Sequence, residues 1–359
     1  MLTEERHEAI LRALRLNGSI KVSEVAAKLG VSSVTIRHDV RELAGRGLLR
    51  RVHGGATLLP EAEQTAPAEV GPKELASQDE KLVFGMVVPN TSYYYPEVIK
   101  GAQSAAARYG ARLVLGVSHY DLRQEQKEAE QLLADGVHGI LLTPSMDLAS
   151  SPETGRWLES IDIPVVMVER RASFELGNVE QVASDHVFGA YLAVKHLAGL
   201  GHDHVALLAR EESFTTPWLL QGHARALTAF GMRPAEPRLL IGSAEHDPAE
   251  MSAQIEQFAD LVVAESVRAA LVHNDLDAVQ LIRKLMARGV SVPRDIAIVT
   301  YDDEVATMAA IPLTAVAPPK HAVGAAAVEL LARRMADPDG AFRHLLLRPE
   351  LRVRASCGA

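Results

Sequence analysis

The sequence predicts a small winged helix-turn-helix, mainly α, followed by a larger α/β domain with parallel sheets. Three observations carry this prediction. Val31–Ala56 reads VSSVTIRHDVRELAGRGLLRRVHGGA, a helix followed by a basic two-stranded wing. From Lys81 onward, short apolar runs alternate with amphipathic segments of helical length. Charge is divided in the same place. Residues 1–56 hold ten Lys/Arg against six Asp/Glu, a net of +4, whereas residues 57–359 hold 27 against 40, a net of −13. A basic head on an acidic body directs any polyanion to the head.

In the head, Ile10, Leu11 and Leu14 recur at helical spacing, and Asn17-Gly18 stops that helix. Ser23 is the expected N-cap of a second helix over Glu24–Leu29, with Gly30 at its C′ position. Ser32 or Ser33 caps a third helix running to about Ala44. Its apolar stripe is Val34 or Ile36, then Val40 and Leu43; its other face shows Ser33, Thr35, Arg37, His38 and Arg41. Small polar and basic residues opening the second helix of such a pair reach base edges in the major groove. Arg37 and His38 can donate to guanine or phosphate, and Ser32, Ser33 and Thr35 can bond phosphate or base edges. LLRRV and ATLL then read as two strands around His53-Gly54-Gly55, with Arg50 and Arg51 beside the turn. Glycines there permit positive φ and close approach to a phosphate backbone.

ERHEAIL at Glu5–Leu11, VSSVTIRHDVREL at Val31–Leu43 and RRVHGGA at Arg50–Ala56 closely resemble the DeoR-type family of bacterial regulators. The resemblance covers nearly all of residues 1–56 and implies operator double-stranded DNA as partner. His38 stands where that family usually has a second Arg. The head is placed at 1–58 and a linker at 59–80. The linker holds Pro60, Pro67 and Pro72 among many Ala and Glu, a semi-extended and self-repelling tether in which a short helix near Lys73–Glu80 has room to form.

The body, 81–359, offers strands LVFGMVV (82–88), ARLVLGV (111–117), GILLT (139–143), PVVMVE (164–169), VALLA (205–209), RLLIG (238–242), AALVHN (269–274) and DIAIVTY (295–301). Apolar strands alternating with helices mean parallel sheets, whose ligands sit at the carboxyl ends of strands. After the first strand come Asn90, Thr91, Ser92 and then Tyr93-Tyr94-Tyr95, a concentration of rings in a chain with only 4% aromatics. Rings beside hydroxyls and amides suit a sugar or a nucleobase-like ring; core packing is the alternative. Asn274-Asp275 and Asp302-Asp303 end two further strands and can accept from ligand hydroxyls, with helix capping the competing role for Asp275 and Asp303.

DGVHGILLTP, IPVVMVERR, VASDHVFGAYLAVKHLAGLGHDHVALL, LVHNDLDAV and GVSVPRDIAIVTYDDEVATMAAIPLTAV resemble the sensor domain of the Lac-repressor/galactose-repressor (LacI/GalR) family, itself similar to type I periplasmic sugar-binding proteins. The resemblance spans roughly 82–355. It implies a two-lobed, periplasmic-binding-protein-like domain with three chain crossings. The first lobe is expected at about 82–172 and 314–338, the second at about 173–313 and 339–355. It implies ligand contacts at Tyr94, Tyr95, Asn274 and Asp302, with Met146 and Asp147 after the third strand. It also implies a side-by-side homodimer. Where the family usually carries an Arg three residues before Gly222, this chain has Leu219, leaving Thr215, Thr216 and Trp218 at that wall. The family's own helix-turn-helix and hinge helix are replaced by the winged head and the linker.

Other chemistries find little support. Cys357 is the one cysteine, so no internal disulfide forms. MLTEERHEAI lacks a basic and apolar leader, and no apolar run approaches ~18 residues. A cytoplasmic protein without a membrane partner is expected. His196, His202 and His204 cluster in a helix-to-strand turn, so neither metal nor cofactor is expected. Asp303 and Glu304 lack a nucleophile–base pair, and there is no phosphate cradle. The expected function is a ligand-responsive transcriptional repressor whose effector is a sugar or a related polyol or nucleoside. The alternatives are a sugar-phosphate-processing enzyme with an attached DNA-binding module, and a transport-type binding protein.

Overall fold

The computed structural model describes residues 6–7, 9–10, 13–14, 19–32, 35–36, 38–40, 43, 49–52, 55–57, 82–145, 152–171, 179–233, 238–242 and 247–359. The expected linker lies outside them. The chain divides into two units, Met1–Val70 and Gly71–Ala359.

In the first unit β1 (Ser19–Lys21) leads into α1 (Val22–Leu29), and β2 (Arg50–Val52) and β3 (Gly55–Thr57) form the wing. The sheet order is β1-β3-β2, antiparallel throughout. The strand β1 was not expected. It holds Lys21 extended in the cap position of α1, so the helix starts at Val22 and Ser23 lies inside it rather than capping it. Gly30 ends α1 in the left-handed region at φ 66°, as its sequence position predicts. Ile10 and Leu14, then Ile36, Val40 and Leu43, supply helical stripes that meet Ile20, Val25 and Ala56 in one core. Asp39, fully buried between them, accepts two bonds from the Arg6 guanidinium at 2.8 and 3.0 Å.

The second unit contains two six-stranded sheets. The first has order β14-β8-β7-β6-β4-β5, where β4 is Val83–Val88, β5 Arg112–Val117, β6 Ile140–Leu142, β7 Val165–Val168, β8 Glu180–Ser184 and β14 His344–Leu347. All its pairings are parallel. The second has order β10-β9-β11-β12-β13-β15, where β9 is Ala206–Arg210, β10 Arg238–Ile241, β11 Ala269–Val272, β12 Ala297–Tyr301, β13 Thr314–Ala317 and β15 Glu350–Arg352. Only the β13–β15 edge is antiparallel. Helices α2 (Tyr95–Arg108), α3 (Leu122–Ala134), α4 (Pro152–Glu159) and α9 (Lys320–Ala336) cover the first sheet. Helices α5 (His186–Gly199), α6 (Thr216–Ala229), α7 (Pro248–Ala264) and α8 (Asp275–Ala287) cover the second. Both faces of each sheet are therefore apolar, which is why the strands read as continuous hydrophobic runs.

The chain passes between sheets after β8, after β13 and between β14 and β15. These crossings differ from the expected lobe limits. β8 and β14 belong to the first sheet, because β8 is hydrogen-bonded between β7 and β14. β13 belongs to the second, where it pairs with β12 and β15. In this unit β8 and β13 were thus missing from the sequence prediction, and the C-terminal strands β14 and β15 were expected within 339–355 without individual bounds and both in the second lobe. Each lobe also has a helix crossing that only glycine allows. A Cβ on Gly101 of α2 would lie 1.9 Å from His321 O, and one on Gly324 of α9 would lie 1.9 Å from Val98 O. In the other lobe a Cβ on Gly222 would lie 2.1 Å from Val187 O. Gly222 is inside α6, in its second turn. Among the described residues no helix is long and apolar enough to cross a membrane.

Candidate functional site

In the first unit the predicted DNA contacts fall in residues 32–41 and in the wing. Ser32 Oγ accepts from Thr35 N at 3.1 Å and pairs with Thr35 Oγ1 at 2.8 Å, so of the two candidate caps Ser32 caps this helical turn. Ser32 and His38 are exposed, whereas Asp39 and Val40 on the opposite side are buried. Arg50 and Arg51 are carried by β2, and Gly55 opens β3 opposite Val52. Ser33, Arg37, Arg41, His53 and Gly54 lie outside the described residues.

In the second unit the carboxyl ends of β4, β7, β9, β11 and β12 converge on a cavity of about 340 Å³. That location follows the strand-end rule for parallel sheets. Tyr94, Tyr95, Thr215, Asn274 and Asp302 line it, as the sequence suggests. Asn90 does not: its Oδ1 accepts from Ser92 N and Tyr93 N at 3.2 and 3.3 Å, so its amide shapes the loop that presents the tyrosines. Trp218 also stands off the cavity, under the Arg171 guanidinium at 3.8 Å from its ring centroid. Met146 and Asp147 lie outside the described residues.

Glu169, directly after β7, has its carboxylate fully dressed. Its Oε1 accepts from Tyr94 Oη at 2.7 Å and from Ser184 Oγ at 2.8 Å, and its Oε2 from Ser184 N at 3.0 Å. His186 Nε2 lies 3.6 Å away. Burial opposes its charge, but His186, Ser184 and Tyr94 outweigh burial and hold the carboxyl below its usual range. Across the cavity His273 Nδ1 accepts from Arg210 N at 3.1 Å. Burial, reinforced by the Arg210 and His186 charges, pushes His273 down to about 3, so it stands neutral with Nε2–H as donor. Asn274 caps α8 by accepting from Asp277 N at 2.8 Å, which leaves its amide NH₂ for a ligand.

Tyr93 spans the cleft. From the loop after β4 its hydroxyl reaches Asp275 Oδ1 at 2.7 Å and Asp302 Oδ2 at 3.2 Å, both in the second lobe. Asp275 does not cap a helix; its other oxygen accepts from Val305 N and Ala306 N at 2.6 and 3.0 Å. Asp303 pairs with Arg352 and Arg354 at 2.9 and 2.6 Å instead of capping. A phenol carries one hydrogen, and the shorter contact commits it to Asp275. Asp302 then fits best when it carries a proton of its own and donates to Tyr93 Oη. Burial pushes Asp302 up to about 7, with the Asp275 carboxylate adding to the rise and the Lys320 ammonium opposing it. Tyr94, Tyr120, Glu169 and Asp302 line the cavity and adopt φ of 67, 58, 55 and 81° respectively. Non-glycine residues in that region cost free energy and cluster at binding sites.

Residues 6–62 match the DeoR-like helix-turn-helix domain, and residues 194–357 match the periplasmic binding protein-like domain. The chain is 27% identical over 340 residues to the arabinose metabolism transcriptional repressor of Geobacillus stearothermophilus, covering 93% of this chain and 89% of that one. It is 28% identical over 339 residues to the HTH-type transcriptional repressor PurR of Vibrio atlanticus (strain LGP32), covering 93% and 98%. The transcription regulator CcpA of Lactococcus lactis shares the fold, with a TM-score of 0.65 at 23% identity over 77% of this chain and all of that one. The chain is a transcriptional regulator that joins a DeoR-like helix-turn-helix to a periplasmic binding protein-like domain. Operator DNA and a small-molecule effector are the partners of such regulators. The relatives are regulators rather than enzymes, so the sugar-phosphate-processing alternative is set aside.

The regulator departs from its expected site in one further respect. Leu219 faces the core, fully buried. Guanidinium groups reach the cavity from elsewhere: Arg210 at the end of β9, held by Asp277 through two 2.9 Å bonds, and Arg170 after β7. Sequence reasoning named Tyr93 among the three rings but not among the ligand contacts, and it missed Glu169, Arg170, His186, Arg210 and His273. The available signal was a charged or imidazole side chain at or just beyond the last residue of an apolar strand, as in VMVERR, LLAR and ALVHND.

Proposed function

We propose that the regulator is a cytoplasmic homodimeric repressor that releases its operator when a sugar-like metabolite occupies the inter-lobe cavity. The observation that carries the effector class is the lining of that cavity. Tyrosine rings offer flat apolar faces to C–H groups, while Asp302 and Asn274 offer acceptors and donors to hydroxyls. A volume near 340 Å³ suits a monosaccharide, a polyol or a nucleoside. The positive head supplies phosphate contacts, and Arg37 and His38 supply base contacts. Two heads in a two-fold dimer match a two-fold operator.

A metabolite acts only through differential affinity for two states of the protein. Tyr93 bonds, and the Arg170–Phe214 and Arg171–Trp218 stacks at 4.1 and 3.8 Å, cross the cleft and hold it shut. A hydroxylated ligand seated among them favours that closed state. The test is a thermal-shift screen of sugars, sugar acids, polyols and nucleosides, followed by titration of duplexes from upstream of the regulator's own gene. A compound that raises Tm and weakens duplex binding over one concentration range supports the reading; stabilisation with no effect on duplex binding refutes it.

A further inference from the structure

The contacts that cross the cleft differ in how they respond to pH. The Arg170–Phe214 and Arg171–Trp218 stacks use guanidinium groups, which stay charged in proteins. Tyr93 works otherwise. From the first lobe it brings one phenol hydrogen to two carboxyls of the second, Asp275 Oδ1 at 2.7 Å and Asp302 Oδ2 at 3.2 Å. Asp275 is fully buried, and its other oxygen accepts from Val305 N and Ala306 N, so both its oxygens act as acceptors. The phenol hydrogen goes to Asp275, and Tyr93 Oη turns a lone pair toward Asp302. A protonated Asp302 donates to that lone pair. An ionised Asp302 sets a second carboxylate against a phenol that has no further hydrogen to give. The closed contact therefore holds one proton more than the same three residues hold when separated.

We propose that Tyr93, Asp275 and Asp302 form a proton-gated latch, so that the cleft closes with uptake of one proton and the regulator's response to its effector depends on acidity. The effect on effector binding rests on the reading of the cavity as the effector site; the latch itself works in the absence of any ligand. The other groups around Asp302 do not cancel it. Lys320 at the start of α9 favours the ionised form, but it bonds the Asp302 carbonyl and pairs with the Glu304 carboxylate, which opposes it. Arg210 at the end of β9 is held by Asp277. The Tyr94 and Tyr301 hydroxyls turn to Glu169 and His186. Burial leads the rise of Asp302 to about 7 in the closed cleft. Opening withdraws Tyr93 and admits water, which returns the carboxyl toward its ordinary 3.8. A pKa that is higher in the closed state means that protons favour closure. That preference is complete below about 4, is lost as pH rises to about 7, and is level above.

Trp218 reports closure, because the Arg171 guanidinium that covers its ring belongs to the other lobe. Trp157 packs within the first lobe, and Trp157→Phe leaves Trp218 as the single tryptophan. The test reads Trp218 emission in the full, ligand-free chain from mildly acid to mildly alkaline pH, with circular dichroism showing that the chain stays folded. The ratio of closed to open cleft is expected to fall roughly 10- to 30-fold between pH 5.5 and 7.5, as release of one proton with a midpoint near 7 requires. Asp302→Asn, whose amide donates to Tyr93 at every pH, should keep the closed signal and flatten the profile. Tyr93→Phe should move the emission toward the open signal at the acid end. A flat wild-type profile, a profile that persists in Asp302→Asn, or a closed signal in Tyr93→Phe equal to that of wild type overturns the proposal. The unaltered chain gives the same scan with Trp157 as a constant background, so the result stands if a variant fails to fold. Each of these failures leaves the cavity an effector site, which the thermal-shift screen decides separately.

Discussion

Asp302 is the residue whose protonation the fold alters most usefully. Its carboxyl ordinarily titrates near 3.8 and is pushed up to about 7 in the folded chain. A raised carboxyl pKa means that the folded state holds a proton the unfolded state has released. This group's contribution to stability therefore falls as pH rises from about 4 to about 7 and is level above that. Asp302→Asn mimics the protonated form and tolerates the left-handed backbone better. It should raise Tm above wild type at pH 8, with the gain shrinking toward pH 4. A constant offset across that range, measured by circular dichroism, would show that Asp302 is ionised in the native state. Tyr93→Phe removes a side-chain donor to a fully buried Asp275. It should cost about 1–3 kcal/mol in urea unfolding, the penalty for an unsatisfied buried acceptor. The residues legible in advance, Tyr94, Tyr95, Asn274 and Asp302, lie in motifs at strand ends. Arg170 and Glu169 were hidden because VERR reads equally well as a strand followed by a solvated turn, and only the opposing Phe214 and His186 give them a role.

At the scale of elements, the long apolar runs were legible because burial on both faces leaves little choice of side chain. The two missed strands, β8 and β13, and the two left without bounds, β14 and β15, lack that signal. EQVAS places Glu180 in the first sheet, where Arg333 and Arg334 bond its carboxylate at 2.7 and 2.8 Å, so a buried strand carries a charge that looks exposed in sequence. TAVA, HLLL and ELR are too short to show a period, and β14 and β15 are joined by only two residues while belonging to different sheets. Helix crossings give a sharper check. Gly101→Ala would drive a Cβ into the His321 carbonyl and should cost about 1–3 kcal/mol or more by overpacking. Gly199→Ala, in the last turn of α5 with open space around it, should instead stabilise by about 0.4–1 kcal/mol. Equal effects in thermal unfolding would remove the argument that α2 and α9 cross through glycine.

For the whole molecule, the decisive quantity is the free energy that links the two ligands. The head carries the positive charge and the body the negative, so duplex affinity should fall steeply with salt while effector affinity for a cavity of paired charges should change far less. If the effector weakens operator binding by a factor α, thermodynamic linkage requires that the operator weaken effector binding by the same α. For couplings of ~1–3 kcal/mol that factor is roughly 5–150. Calorimetry with the effector, done with and without saturating operator duplex, should therefore return the ratio found by titrating duplex with and without effector. Random duplex at the same salt should bind through phosphate contacts yet yield a smaller ratio if, as proposed, base contacts by the third helix distinguish the coupled state. Unequal ratios for effector and operator would mean that the two ligands do not act on one shared equilibrium, and closure of the cleft would then not be what frees the DNA.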